Sequence, residues 1–222
     1  MSLHIHDIFN LICKEFPIPV MVNLELISKC HETIIKNTEW YHSQLTIKND
    51  DTMLYFIKQY NFRNFEINNG IGKNHINYLQ NCHTLNLQFT KLSNKYIKKF
   101  HGCHTLNLGN SYTRLKRTTL MKLRHCHTLI LFDVNFNNRD LEVLSKCNTI
   151  CLTFSQVKNH HVKHLKKCHT LGLEGSFVTN KCVKHLKNCH TIYFGINSKI
   201  DRLHRDILRK CCFKASFNLI YI

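Results

Sequence analysis

The stretch Cys82-His83-Thr84-Leu85-Asn86-Leu87 decides the fold, because close copies of it return along the rest of the chain. Successive copies are spaced 21, 23, 21, 21 and 21 residues apart, and they begin at Cys103, Cys126, Cys147, Cys168 and Cys189. A six-residue motif that returns at nearly constant spacing indicates an internal repeat, in which each unit is one supersecondary element.

Each motif is preceded by residues typical of a short helix. Apolar residues stand three and six positions before every cysteine, for example Leu79 and Ile76 before Cys82, which is the spacing of one helical stripe. Asparagine, a preferred N-cap residue, stands nine positions before the cysteine in four units. These asparagines are Asn94, Asn138, Asn159 and Asn180. Each unit is therefore predicted to be an Asn-capped helix of two to three turns followed by a short strand.

One such unit cannot bury its apolar side alone, so the units are expected to stack with parallel strands inside and helices outside. The predicted fold class is an α/β solenoid. The pattern Leu79-x-x-Cys82-x-x-Leu85-x-Leu87 resembles the cysteine-containing branch of the leucine-rich-repeat family, over about residues 42–210. Degenerate units are predicted at 42–47 and 62–67. The predicted solenoid domain is 42–222, with about eight units, clear repeats from 82 to 210 and a terminal cap.

Residues 1–41 do not fit the repeat and form a second predicted domain. They carry an apolar cluster at helical spacing, then the chain's two prolines, a second apolar run and Trp40. This order resembles the F-box, a helical motif that docks onto a Skp-type adaptor of a cullin ubiquitin ligase. The resemblance implies that adaptor binding falls to Ile8, Phe9, Ile12, Phe16, Pro17, Pro19 and Leu26.

The two halves together resemble the F-box/leucine-rich-repeat proteins of giant amoeba-infecting DNA viruses. That resemblance implies a non-enzymatic substrate-recognition subunit that brings an unknown target to the host's Skp-type adaptor and cullin ligase. The remaining composition is consistent with this role. The chain has no run of 18 apolar residues and no secretory signal pattern, and its 12 cysteines then suggest reduced thiols. We therefore expect a cytoplasmic protein without a membrane partner.

Alternatives for the repeated polar residues stay open at this point. The cysteine occupies an inward leucine-type position, so we expect a core residue rather than a metal ligand, and we expect no cofactor. The histidines and threonines after it predict local hydrogen bonds at the strand entrance, or a pH-sensitive surface. No catalytic motif is found, and a motif repeated six times favours structure over catalysis, so we expect no enzyme activity.

The concave face is the predicted recognition surface, because residues between and after the paired leucines point there. The candidate target-binding residues are Asn86, Asn107, Ile130, Phe132, Glu174 and Tyr193. We expect binding to centre on Phe132, with lysines of the opposite face dispensable. Two other functions remain open. One is a free-standing or decoy binding protein. The other is binding of a polyanion such as nucleic acid, which the net charge of +17 allows.

Overall fold

The structure is a computed structural model that describes residues 40–47, 61–67, 73–134, 137–194, 199–201, 203–204 and 212–214. The F-box-like residues Ile8, Phe9, Ile12, Phe16, Pro17, Pro19 and Leu26 lie outside the described residues. Within the described residues, the chain forms one parallel sheet with helices on one side. No helix among the described residues is long and apolar enough to cross a membrane.

The sheet contains nine parallel strands among the described residues, in the order β1 to β9. The first two and the last are β1 (Trp40–Ile47), β2 (Phe62–Ile67) and β9 (Cys212–Lys214). The six between them are β3 (Thr84–Asn86), β4 (Thr105–Asn107), β5 (Thr128–Ile130), β6 (Thr149–Cys151), β7 (Thr170–Gly172) and β8 (Thr191–Tyr193). Each strand pairs only with its sequence neighbours, which confirms the solenoid.

The register between strands follows the repeat. Thr84 pairs with Thr105 and Thr105 pairs with Thr128, so equivalent residues of successive units stand side by side. Leu45 of β1 pairs with Phe65 of β2, and Phe65 pairs with Leu85 of β3, so both predicted degenerate stretches, 42–47 and 62–67, contribute a strand to the same sheet. Equivalent side chains therefore form columns that run from unit to unit.

Short helices cover the convex side of the sheet. The α-helices are α1 (Lys73–Ile76), α2 (Asn94–Ile97), α3 (Arg117–Leu123), α4 (Asn159–Val162) and α5 (Val183–Leu186). The 3₁₀ helices are η1 (Lys98–Gly102), η2 (Asn138–Leu144), η3 (Lys163–Leu165) and η4 (Asn180–Cys182). In three units the α-helix has four residues and is continuous with a 3₁₀ helix: α2 leads into η1, α4 leads into η3, and η4 leads into α5. A 3₁₀ turn advances farther per residue than an α turn, so it spans the convex side with few residues, as a 21-residue repeat requires.

The prediction that asparagines cap their own helices is wrong. The caps stand one residue earlier, at Ser93, Asn137, Lys158 and Thr179. Three of these asparagines, Asn94, Asn159 and Asn180, instead form hydrogen bonds to the next unit. An asparagine side chain suits this role because it has both a donor and an acceptor. The amide of Asn94 donates to the Arg114 carbonyl at 3.0 Å and accepts from the Lys116 N–H at 3.0 Å.

The core lies between strands and helices and is built from the columns that the repeat predicts. Leu85, Leu106 and Leu129 are fully buried, as are Leu79, which follows α1, and Ile97 of α2. The repeated cysteines are at most 5% exposed, so their predicted core position is confirmed. Those six cysteines are Cys82, Cys103, Cys126, Cys147, Cys168 and Cys189.

Candidate functional site

The edge where strands begin carries a column of histidines. Rings of His83, His104 and His127 stack with centroids 4.6 and 4.4 Å apart, and His169 stacks on His190 at 4.4 Å. Each Nδ1 lies 3.0–3.2 Å from the hydroxyl of the threonine that follows it. The predicted local hydrogen bonding at the strand entrance is therefore confirmed. Asn148 takes the histidine position in one unit and divides the column into three rings and two.

The concave positions in the middle of the sheet are closed to solvent. Asn107, Ile130 and Cys151 follow one another in register and are 6%, 1% and 0% exposed. A Cβ placed on Gly172, the next residue in this column, would lie 3.2 Å from the Cys151 Sγ. Neighbouring side chains of the column pack on one another. Ile130, a candidate target-binding residue of the concave face, is therefore closed to solvent.

The two candidate asparagines serve the backbone of their own turns. The Asn107 Oδ1 accepts a hydrogen bond from the Gly109 N–H at 2.9 Å, and the Asn86 Oδ1 accepts from the Gln88 N–H at 3.1 Å. An asparagine that satisfies the backbone two residues later forms an Asx turn. These side-chain oxygens thus hold the chain as it leaves the strand.

The other three candidates are partly exposed. Phe132, Glu174 and Tyr193 are each half-buried. The structure brings Phe132 against Phe154, with the rings edge to face and their centroids 5.4 Å apart. The backbone carbonyl of Glu174 accepts a hydrogen bond from the Phe154 N–H at 2.7 Å. Phe154 therefore links two of the predicted residues, although it is absent from the predicted set.

A left-handed turn follows each strand and contains the clearest departure from the repeat. The residue seven positions after the cysteine has a positive φ in five successive units. These residues are Phe89 (60°), Asn110 (51°), Asp133 (48°), Phe154 (55°) and Gly175 (66°). Glycine, asparagine and aspartate tolerate this region, whereas a bulky side chain there is strained, by about 1–3 kcal/mol. The two phenylalanines are thus unfavourable choices for their own turns.

Both phenylalanines also face water. Phe89 and Phe154 are 57% and 56% exposed, so little burial offsets the backbone strain. The Phe154 ring lies over Gly175 of the next unit, where a Cβ would clash with it. Asn110 and Gly175, at equivalent positions of two repeats, indicate a left-handed turn from the sequence alone. Phe89 and Phe154 occupy the same position in other repeats, and this mismatch between residue and turn is the feature of the sequence that could have identified them as candidate binding residues.

Further aromatic side chains extend along the same edge, where the strands end. Tyr112 and Phe177, both nine residues after a repeated cysteine, are 70% and 57% exposed. The Lys91 ammonium lies 5.2 Å from the centroid of the Tyr112 ring. We name this surface the aromatic ridge. It consists of Phe89, Tyr112, Phe132, Phe154 and Phe177.

The chemistry of the buried thiols does not suit nucleophilic attack. Burial, and then the neighbouring Cys103, raises the pKa of the Cys126 thiol to about 12. Burial raises the pKa of Cys182 to about 12 as well. A thiol with so high a pKa stays protonated at neutral pH and is a poor nucleophile. Within the described ranges, no group of three or more His, Cys, Asp or Glu side chains is placed to hold a metal ion.

Comparisons with known proteins identify the fold. No family model matches the chain, and no curated protein matches it. Among solved structures, it is similar to internalin C2 of Listeria monocytogenes, with 18% identity, a TM-score of 0.54, and coverage of 93% of this chain and 95% of that one. It is also similar to an internalin (inlF) of the same organism, with 17% identity and a TM-score of 0.51. That match covers 69% of this chain and only 47% of the inlF chain. With the sheet and helices described above, these likenesses show that the chain has the α/β leucine-rich-repeat solenoid fold.

Proposed function

We propose that the protein is a non-enzymatic interaction adaptor whose repeats bind a target protein through the aromatic ridge. The observation that carries this proposal is the pair Phe89 and Phe154. Each is strained in its turn and more than half exposed, so neither folding nor solvation favours it. Strained and exposed residues of this kind concentrate at binding sites.

The chemistry of the aromatic ridge fits a protein partner. Aromatic side chains bury a large area with few rotatable bonds and dominate the binding energy of many protein interfaces. Phe132 supports Phe154 from the side, so a partner would meet a preformed edge-to-face pair. The ridge replaces the middle of the concave face as the proposed centre of binding, because Ile130 and Cys151 are buried there. Phe132 belongs to the ridge, and Glu174 is joined to it by its carbonyl, which accepts the Phe154 N–H.

We further propose that residues 1–41 dock onto a Skp-type adaptor and so bring the bound target to a cullin ubiquitin ligase in the cytoplasm. This part of the proposal rests on the F-box resemblance of Ile8, Phe9 and Ile12 and of the turn at Pro17 and Pro19. The free-standing or decoy function needs the ridge but no adaptor. The ligase function and the decoy function therefore differ in whether the protein binds a Skp-type adaptor, which can be measured.

Affinity purification of the full-length protein from an amoebal lysate, with quantitative mass spectrometry, tests both contacts. We expect the wild type to enrich a Skp-type adaptor, a cullin and a target. Phe154→Asn removes the ring and suits the left-handed turn, as Asn110 does in a neighbouring unit. It is expected to weaken target binding by about 2 kcal/mol, roughly thirtyfold in Kd, without lowering the melting temperature. Phe132→Ala is expected to act in the same direction.

Two controls separate the contacts. Met121→Asn changes an exposed apolar residue of α3 that lies off the ridge, and we expect unchanged target capture. Replacing Ile8, Phe9 and Ile12 with serine is expected to abolish adaptor capture and to leave target capture intact. Full target capture by Phe154→Asn would exclude the ridge. Absence of any Skp-type adaptor with the wild type would leave the decoy function.

A further inference from the structure

The convex side of the β7 and β8 units carries a dense group of lysines. The chain segments before these strands expose Lys163, Lys166 and Lys167 in one unit and Lys181, Lys184 and Lys187 in the next. We name these six residues the lysine track. They lie on the opposite side of the sheet from the concave column and are absent from the aromatic ridge.

The lysine track lines two neighbouring grooves between helices. Lys163, Lys166 and Lys167 line an open groove of about 420 Å³ together with His164, His185 and Glu142. Lys181, Lys184 and Lys187 line the adjoining groove with His204. Each groove is bordered by more than one unit, so the stacking of the units brings cations of separate helices together.

The carboxylates beside this track already have partners. Glu142 lies 2.6 Å from an Arg117 guanidinium nitrogen, and Asp201 lies 2.7 Å from the His204 Nδ1. The ion pairs between described residues involve Arg117 and His204 and none of the track lysines. Partial burial, followed by the charges of Lys184, Lys163 and Lys166, lowers the pKa of His185. The positive field of the track is therefore not neutralised by the described part of the chain.

We propose that the lysine track binds the phosphate backbone of double-stranded nucleic acid. Lysine ammonium groups neutralise phosphates as point charges, whereas a protein partner would need apolar or aromatic anchors. The described lining of both grooves includes no Phe, Tyr or Trp side chain, so it offers no platform on which single-stranded bases could stack. A duplex also carries twice the charge of a single strand per unit length. This binding would be independent of base sequence and separate from the proposed adaptor role.

Fluorescence anisotropy with a short labelled DNA duplex and the full-length chain tests the proposal. We expect saturable binding that weakens steeply between about 50 and 200 mM salt. Lys163, Lys166 and Lys167 changed together to alanine are expected to lower the slope of log K against log salt by about 3, one for each lost phosphate contact. The affinity should be the same for two duplexes of unrelated sequence. The melting temperature should not change, because the three side chains are exposed.

The matched control changes Lys95, Lys98 and Lys122 to alanine, which removes the same charge from the convex side of earlier units. We expect this variant to keep most of the wild-type salt slope. An equal loss in both variants would overturn the proposal in favour of diffuse attraction by net charge. Tighter binding of a single strand of equal length would also overturn it. Equal competition by polyglutamate at the same charge concentration would assign the track to an acidic protein surface instead.

Discussion

At the scale of the residue, the repeated cysteine has a use that a leucine could not supply. The Cys147 thiol lies 3.5 Å from the Arg124 carbonyl oxygen, and the Cys126 thiol lies 3.7 Å from that of Phe100. Arg124 is the C-cap of α3, where carbonyl oxygens lack a partner within the helix, and Phe100 lies in η1, where its carbonyl also accepts the Cys103 N–H at 3.2 Å. The thiol is small enough for the core and can donate a weak hydrogen bond there. In these units the cysteine thus links its strand to the helix before it.

Serine in place of cysteine is expected to show how apolar this position is. The Cys168 thiol is fully buried and makes no hydrogen bond to a described residue, so Cys168→Ser should lower the free energy of unfolding by about 1–3 kcal/mol. Cys151→Ser is the matched control, since this equally buried residue lies 3.0 Å from the Thr153 hydroxyl. It is expected to cost less because its hydroxyl keeps a partner. Urea unfolding of both variants measures the difference, and equal losses would contradict it.

At the scale of the element, neighbouring helices are joined by asparagine side chains. The Asn159 amide accepts a hydrogen bond from the Thr179 N–H at 2.8 Å and donates to the Thr179 hydroxyl at 2.9 Å. Asn180 makes the corresponding pair of bonds to Asp201. Each bond crosses from one unit to the next, so these asparagines fix the spacing of the helices.

A single substitution distinguishes this bridge from a helix cap. Serine caps helices about as well as asparagine but is too short to bridge two units. Asn159→Ser is therefore expected to lower the free energy of unfolding by about 1–2 kcal/mol through the lost hydrogen bonds. Chemical denaturation provides the measurement. A variant as stable as the wild type would mean that capping is the main role of Asn159.

At the scale of the whole molecule, the fold lowers the pKa of three described histidines, His104, His161 and His185. Burial, with added repulsion from His160, His164 and Lys158, lowers the pKa of His161 from 6.5 to about 4. The His161 Nδ1 also accepts a hydrogen bond from the Lys158 N–H at 3.0 Å, which requires a neutral nitrogen. In the stacked column, burial followed by His127 and His83 lowers the pKa of His104. Protonation of these rings is therefore easier in the unfolded chain.

For that reason, the free energy of unfolding is expected to decrease as the pH is lowered. A folded-state pKa below the unfolded value gives stability that is present above pH 6.5 and is lost as the pH falls toward 4. His161→Gln keeps an acceptor for Lys158 and removes the titration, so its stability should decline less over this range. Urea unfolding at several pH values compares the two proteins. Parallel pH profiles would show that His161 does not contribute.

The sequence by itself determined the solenoid, because the period of Cys82, Leu85 and Leu87 and their copies leaves no other way to bury the repeated apolar side. It also determined that the cysteines are buried and that threonines begin the strands. Only the tertiary structure decided which concave residues face solvent, because the exposure of Ile130 depends on side chains contributed by adjacent units. Only the tertiary structure also decided the hydrogen-bond partners of Asn94 and Asn159, because their side chains could cap their own helix or bond to the next unit. Phe154 shows most clearly what the sequence alone cannot determine. Its backbone strain comes from the left-handed turn in its own unit, and its ring has room only because the next unit has a glycine, Gly175, beneath it.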